Sequence, residues 1–116
     1  MRRGDVYMAD LQPVQGSEAD KIRPVVLVAR NDALSAVERY RRGVVTVVPM
    51  TSNVQVRGLM HVMVRPSSLN GLRTASKLQA EQVRSIDVSR LGRRVGRLVR
   101  RDLVAVDAAL RHHLAL

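Results

Sequence analysis

Short runs of β-branched and other apolar residues, separated by turn-forming residues, fill the first two thirds of this chain. Such runs predict strands, and we place them near residues 5–11, 23–30, 43–50, 60–65 and 76–86. The last run is either continuous or broken in two around Ala80. Because a short, half-buried antiparallel sheet must curl to bury its apolar face, the runs predict a mainly β fold built as a small barrel.

The rest of the chain adds helical patterns. Four apolar residues recur at spacings of three and four, which predicts an amphipathic C-terminal helix: Leu103, Val106, Leu110 and Leu114. Asp102 lies near the start of this helix, where a carboxylate suits the helix dipole. Earlier, Asn31 and Asp32 suit the cap of one short helical turn. Residues 88–91 predict another turn, and a strand is predicted near 93–98.

The charge balance is strongly basic. The 20 Lys and Arg residues outnumber the 10 Asp and Glu residues, giving a formal net charge of +10, which predicts a polyanionic partner. Of the 20 basic residues, 18 are Arg. The planar guanidinium group of Arg grips phosphate through two hydrogen bonds and stacks on bases. The alternative interpretation is that most of these arginines only solvate the surface.

Composition also excludes several kinds of site. The chain has no Cys, which rules out disulfides and Cys-based metal or redox centres. The spacing of its His, Asp and Glu residues suggests no metal site, and we predict no cofactor. No run approaches the roughly 18 apolar residues needed to span a membrane, and the N-terminus carries no apolar signal core. A cytoplasmic protein is therefore expected.

Polar groups stand at the ends of two predicted strands. Arg23-Pro24 opens one strand after the loop Gly16-Ser17-Glu18, and Thr51-Ser52 ends another. Farther along, the chain reads Ser76-Lys77 and then Glu81-Gln82, followed by Val, Arg, Ser, Ile and Asp. The order and spacing of these groups closely resemble those of the MazF/PemK family of toxin endoribonucleases. The resemblance runs nearly from end to end.

The resemblance implies a single SH3-like barrel domain over residues 1–116, with short helices, that forms a homodimer. The implied activity is metal-independent cleavage of single-stranded RNA at a short sequence motif, through attack by the RNA's own 2′-hydroxyl. Its expected products are 2′,3′-cyclic phosphate and 5′-hydroxyl ends. The implied protein partner is an antitoxin with an acidic segment. The site residues carried over are Arg23, Thr51 and Glu18 for catalysis and Ser17, Ser52, Lys77, Glu81 and Gln82 for RNA binding.

The chemistry of the residues supports part of this assignment. Cleavage through the 2′-hydroxyl needs a base, stabilisation of phosphoryl charge and an acid for the departing oxygen. Arg23 is always protonated, so it can clamp phosphate and donate a hydrogen bond, but it does not follow that it acts as the base. The base is left open between Glu18 and a water or hydroxide held by the site. His112 and His113 point about 100° apart on a helix, which disfavours a two-histidine mechanism.

Two other functions are left open. A non-catalytic nucleic-acid binding module would need only the net charge of +10. A toxin of the same fold could poison a protein such as a topoisomerase, because fold does not fix function. A binding module has no need for Arg23 and Thr51 at matching strand ends, so this pair discriminates between binding and cleavage.

Overall fold

The computed structural model describes residues 1–12 and 22–116. Seven strands and two helices follow in this order in the described part: β1 (Asp5–Asp10), β2 (Ile22–Leu27), α1 (Asn31–Tyr40), β3 (Val44–Thr51), β4 (His61–Val64), β5 (Ser76–Gln79), β6 (Arg84–Asp87), β7 (Leu91–Arg97) and α2 (Arg100–Leu114). Single 3-10 turns at Ala80–Gln82 and Val88–Arg90 flank β6. The predicted mainly β fold is confirmed, and the last strand run is indeed broken at Ala80.

The central strand is β3, which has neighbours along both edges. On one edge Val47–Pro49 pair with residues 25–27 of β2, and all pairing in the sheet is antiparallel. On the other edge the first half of β3 pairs with β6, and its last two residues pair with β5. The main path of the sheet runs β4-β5-β3-β2-β1-β7. The break at Ala80 therefore separates β5 from β6, and these two strands pair with different parts of β3.

The sheet does not close into a complete barrel in the described part of the chain, where no ladder joins β4 to β7. An irregular segment, residues 65–72, covers the free edge of β7 instead. The Arg97 amide donates to the Leu69 carbonyl at 3.0 Å. The approach is so close that a Cβ at Gly71, whose φ is +68°, would lie 2.3 Å from the Val95 carbonyl oxygen. Glycine is therefore required at this contact.

The side chain of Asn70 explains why this segment is not a strand. Asn70 is buried, and its amide donates to the Arg65 carbonyl at 2.8 Å. Its side-chain oxygen accepts hydrogen bonds from the backbone amides of Ser67 and Leu72, each at 3.0 Å. These hydrogen bonds satisfy backbone amides and a carbonyl of the segment that would otherwise need partners on a neighbouring strand.

The sheet buries side chains on both faces because its strands alternate. Val26, Val48 and Met50 belong to a core cluster that includes Val106 of α2. The neighbouring positions along the same strands contribute to a second cluster around Leu34 of α1. Fully burying one such aliphatic side chain is worth about 1.5–3 kcal/mol. Both helices are thus held on the sheet by apolar burial.

The two helices differ in how well their sequences predict them. The C-terminal helix is confirmed: Val106 is fully buried, although Leu114 at its end is 50% exposed. At Asn31 a ten-residue helix is found where one short turn was expected. The Asn31 side-chain oxygen accepts a hydrogen bond from the Arg3 amide at 2.7 Å. Over residues 1–12 and 22–116, neither helix is long and apolar enough to cross a membrane.

Candidate functional site

A cleft of about 490 Å³ lies where β2 begins and β3 ends. Arg23, Thr51 and Ser52 all line it, together with residues from three further segments: Met8 of β1, Gly71 to Thr74 and Ser76 before and at the start of β5, and Arg93 and Val95 of β7. Three residues that the sequence assigns to the site therefore share one cleft, although 28 positions separate Arg23 from Thr51 in the chain.

Antiparallel pairing brings these strand ends together. Val25 of β2 pairs with Pro49 of β3, so the same register extended by two residues sets Arg23 opposite Thr51. Pro24 has no amide proton, and it restricts Arg23 to extended geometry. The start of one strand and the end of its antiparallel neighbour necessarily lie at the same edge of the sheet.

The hydroxyl of Thr51 is oriented by the turn that follows it. Its Oγ1 accepts a hydrogen bond from the Asn53 amide at 3.1 Å. The Asn53 side chain in turn accepts from the Gln55 amide at 3.3 Å. Within the described ranges no acceptor takes the Thr51 hydroxyl proton. The proton is therefore available to donate to an oxygen bound in the cleft.

Two arginines of the cleft were not predicted as site residues. Arg73 follows the segment that covers β7, and Arg93 lies on β7 itself. With Arg23 they bring three guanidinium groups to the cleft, and none of the described residues lining it is Asp or Glu. Thr74 and Ser76 add hydroxyl groups, of which Ser76 Oγ donates to the Thr74 carbonyl at 3.1 Å. A cationic lining of this kind is suited to phosphate.

The predicted RNA-binding residue Lys77 is directly opposite Thr51 in the ladder between β3 and β5. Its side chain is buried, and its Nζ donates to the Val56 carbonyl. Lys77 is not among the residues lining the cleft. The contact ties the loop after Thr51 to β5, so Lys77 can position that loop. Direct binding of RNA by Lys77 stays a prediction.

Glu81 and Gln82 lie in the 3-10 turn between β5 and β6, and neither lines the cleft. The carboxylate of Glu81 is 2.7 Å from His61 Nε2, and His61 Nδ1 accepts a hydrogen bond from the Gly58 amide at 2.9 Å. Because Nδ1 acts as an acceptor, these contacts assign the imidazole proton to Nε2, which donates to Glu81. This network anchors the same loop that Lys77 contacts.

The predicted residues Ser17 and Glu18 lie outside the described residues, so their roles stay predictions. In the ranges 1–12 and 22–116, no three His, Asp or Glu side chains form a group that could hold a metal ion. His112 and His113 lie in the last turn of α2, far along the chain from the cleft residues.

Comparison with known proteins gives consistent matches. Residues 2–114 match the family described as PemK-like, MazF-like toxins of type II toxin–antitoxin systems. The endoribonuclease MazF9 of Mycobacterium tuberculosis is 43% identical over 116 residues, which cover 100% of this chain and 98% of that protein. The solved structure of M. tuberculosis toxin MazF-mt6 has a TM-score of 0.72 and 29% identity, covering 97% of each chain.

A mycobacterial endoribonuclease solved in complex with its cognate antitoxin has a TM-score of 0.76. It is 22% identical to this chain, and the match covers 100% of this chain and 96% of that one. At that identity the likeness shows a shared fold.

Proposed function

Because this chain belongs to the PemK-like, MazF-like family of toxins of type II toxin–antitoxin systems, we propose that it is an endoribonuclease. Its substrate is single-stranded RNA, including mRNA, cut at a short sequence motif. The observation that carries the proposal is the cleft in which Arg23 and Thr51 meet. A binding module would need positive charge, but it would not need an oriented hydroxyl beside an arginine at the same strand ends.

The proposed reaction is internal transfer at phosphorus. The 2′-oxygen forms a bond to phosphorus while the bond to the 5′-oxygen breaks. The base takes the proton from the 2′-hydroxyl, and the departing 5′-oxygen receives a proton from water, so that the overall number of protons is unchanged. The products are a 2′,3′-cyclic phosphate and a 5′-hydroxyl. The base is either Glu18 or a water or hydroxide held in the cleft, so this step does not depend on Arg23.

The side chains of the cleft suit the remaining steps. The guanidinium of Arg23 can hold two phosphoryl oxygens and donate a hydrogen bond toward the leaving oxygen. The Thr51 hydroxyl, with its oxygen already engaged by the Asn53 amide, can donate to the charge that develops on the phosphoryl group. Arg73 and Arg93 line the same cleft and can bind the phosphates next to the scissile one.

We propose that the protein is a cytoplasmic homodimer held inactive by a cognate antitoxin. The family description supports such a partner, since it names these proteins as toxins of toxin–antitoxin systems. The formal net charge of +10 supports an acidic antitoxin segment, which would complement a basic groove electrostatically. One surface could then serve both RNA and antitoxin.

Mapping the ends of cleaved RNA tests the proposal. Purified protein should cut a mixed single-stranded RNA in the presence of EDTA and leave 2′,3′-cyclic phosphate and 5′-hydroxyl ends. RNA with 2′-deoxy or 2′-methoxy sugars at the cut sites should resist cleavage. Efficient cutting of those analogues would refute internal attack, and RNA binding without any cleavage would favour the binding module.

A further inference from the structure

An exposed basic segment lies at the opposite end of β3 from the cleft. It comprises Arg39, Tyr40, Arg41 and Arg42 at the C-terminal end of α1, and we call it the α1 patch. The patch precedes β3, whose eight residues run from Val44 to Thr51, and the seven steps between those two residues, at about 3.3 Å each, correspond to roughly 23 Å along the strand. The α1 patch is therefore distinct from the cleft.

Tyr40 presents an aromatic surface to solvent. It is 64% exposed, although tyrosine is typically of intermediate burial in proteins, and it is one of two aromatic residues in the chain, apart from histidines. The Arg39 guanidinium carbon lies 5.6 Å from the centre of the Tyr40 ring. At this distance the cation is attracted by one face of the ring, and the other face can stack on a planar group.

The charges of the α1 patch are not neutralised. In the described part of the chain, none of its three guanidinium groups forms an ion pair. The nearby Glu38 carboxylate is taken by the Met1 amine at 2.6 Å. Asp87, across the adjoining cavity, accepts from the Ser89 amide at 2.9 Å, and these Ser89 hydrogen bonds lower its pKa. Among the described residues, neither carboxylate forms an ion pair with the three arginines.

The backbone of Arg41 adopts a conformation that arginine disfavours. It forms the C-cap of α1 with φ 54° and ψ 34°, in the left-handed region that glycine adopts at lower energy. The chain thus keeps a guanidinium group at a position where glycine would give a more stable helix end. The conformational energy that Arg41 costs is consistent with a functional role for its guanidinium group.

We propose that the α1 patch is a second contact site for single-stranded RNA. A base stacks on the free face of Tyr40, while Arg41 and Arg42 bind the phosphates on either side of it. Stacking and bidentate phosphate binding favour RNA over an acidic peptide, which has charge but no base to stack. The inference rests on the proposed function, and it adds a part of the RNA that lies outside the cleft.

Tyrosine fluorescence can detect this contact directly, because the chain has no Trp and only Tyr7 besides Tyr40. The variant Tyr7→Phe leaves Tyr40 as the sole emitting residue. Uncleavable 2′-methoxy oligonucleotides of mixed sequence, of about 5 and about 16 nucleotides, span the usual range of single-strand site sizes. We expect the longer oligonucleotide to quench Tyr40 emission and the shorter one to have little effect.

Substitutions then separate binding from folding. On the longer RNA, Tyr40→Ala should weaken affinity about tenfold, within the range measured for loss of one stacked base, and Tyr40→Phe should retain it. Arg41→Gly should raise the melting temperature yet bind RNA more weakly, with the slope of log affinity against log salt reduced by about 0.7. Its matched control is Ala115→Gly, the left-handed C-cap of α2, which should raise stability and leave RNA binding unchanged.

The outcomes distinguish this inference from the proposed function. If wild-type protein binds neither oligonucleotide, RNA is not the ligand and the proposed function fails. If it binds both but Tyr40→Ala and Arg41→Gly bind like wild type, the α1 patch is not an RNA site. Quenching of Tyr40 by an acidic peptide but not by RNA would reassign the patch to a protein partner and overturn the inference.

Discussion

The two ends of β3 differ in how their basic groups are assembled. At the Thr51 end, three arginines arrive from β2, the segment before β5, and β7, and they line one cleft of about 490 Å³. At the other end, the three arginines of the α1 patch come from four consecutive residues and are exposed to solvent. Folding therefore brings the three cleft arginines together from separate segments, whereas the three arginines of the α1 patch are already neighbours in the sequence.

This difference predicts different roles in one reaction. Groups fixed by several strands can be held where charge develops in the transition state, so they should act on kcat. Groups on an exposed helix end can bind substrate equally before and during the reaction, so they should act on KM. Substitutions at the two ends of β3 test whether that division between kcat and KM holds.

The largest expected effect is at the cleft. Arg23→Ala should lower kcat by at least about a hundredfold, by analogy with the loss of one transition-state donor, with little change in KM. Arg23→Lys should restore little of the lost kcat, because the ammonium group of Lys cannot make the two parallel hydrogen bonds of a planar guanidinium. Thr51→Ala should also lose activity, and Thr51→Ser should keep more of it. Wild-type rates in both alanine variants, measured on single-stranded RNA, would show that the site is misplaced.

The two additional cleft arginines come next. Arg73→Ala and Arg93→Ala should each reduce kcat/KM by roughly tenfold, the value of one charge-assisted hydrogen bond of about 1.5 kcal/mol. Arg97→Ala is the matched control, since its exposed side chain leaves the same strand without lining the cleft. If Arg97→Ala costs as much as Arg93→Ala, general charge rather than the cleft explains the effect.

The third prediction concerns the segment that forms one wall of the cleft. Gly71→Ala should destabilise the protein by about 2 kcal/mol or more, because its Cβ would strike the Val95 carbonyl and its backbone has positive φ. Gly58→Ala is the control, since its Cβ would meet only the His61 ring at 3.8 Å, an ordinary contact. Thermal unfolding measures both. If Gly71→Ala melted at the same temperature as Gly58→Ala, the tight contact between Gly71 and β7 would be contradicted.

Much of the fold was predictable because strand and helix periodicities depend only on residues that are close together in the sequence. The stripe containing Val106 was found where the sequence indicated, and of the two alternatives for the run 76–86 the structure shows the one broken at Ala80. The length of α1 was missed because Leu34 is its only fully buried residue, which gives a weak apolar pattern. The open sheet was missed because the buried bonds of Asn70 join residues 65–72 without a distinctive motif.

The cleft was predictable only in part for a related reason. Arg23 and Thr51 were assigned through the family resemblance, and antiparallel pairing explains why they meet. Arg93 is adjacent to Arg94, and nothing in the sequence says which of them faces the cleft. The register of β7 against β1 shifts on either side of Tyr7, and such irregularities decide the facing of each side chain.

The smallest expected effect is at the α1 end, where Asp87 pairs with Val44 across the ladder between β3 and β6. Asp87→Asn removes a negative charge beside the cavity lined by Arg41 and Arg42, so it should strengthen RNA binding, by less than about twofold after screening by salt. It should not change kcat, because Asp87 is remote from the cleft. A fall in kcat comparable to that of Arg23→Ala would contradict the assignment of kcat to the cleft and of KM to the α1 patch.

The pH dependence of this variant follows from the hydrogen bonds of Ser89, which lower the pKa of Asp87. A lowered folded-state pKa means that the carboxylate contributes stability above its unfolded pKa of about 3.9, and that this contribution is lost as pH falls through the folded value. Wild type should therefore be more stable than Asp87→Asn by a constant margin between about pH 5 and pH 8. Urea unfolding across that range and down to about pH 3 should show the margin shrinking only at the acid end.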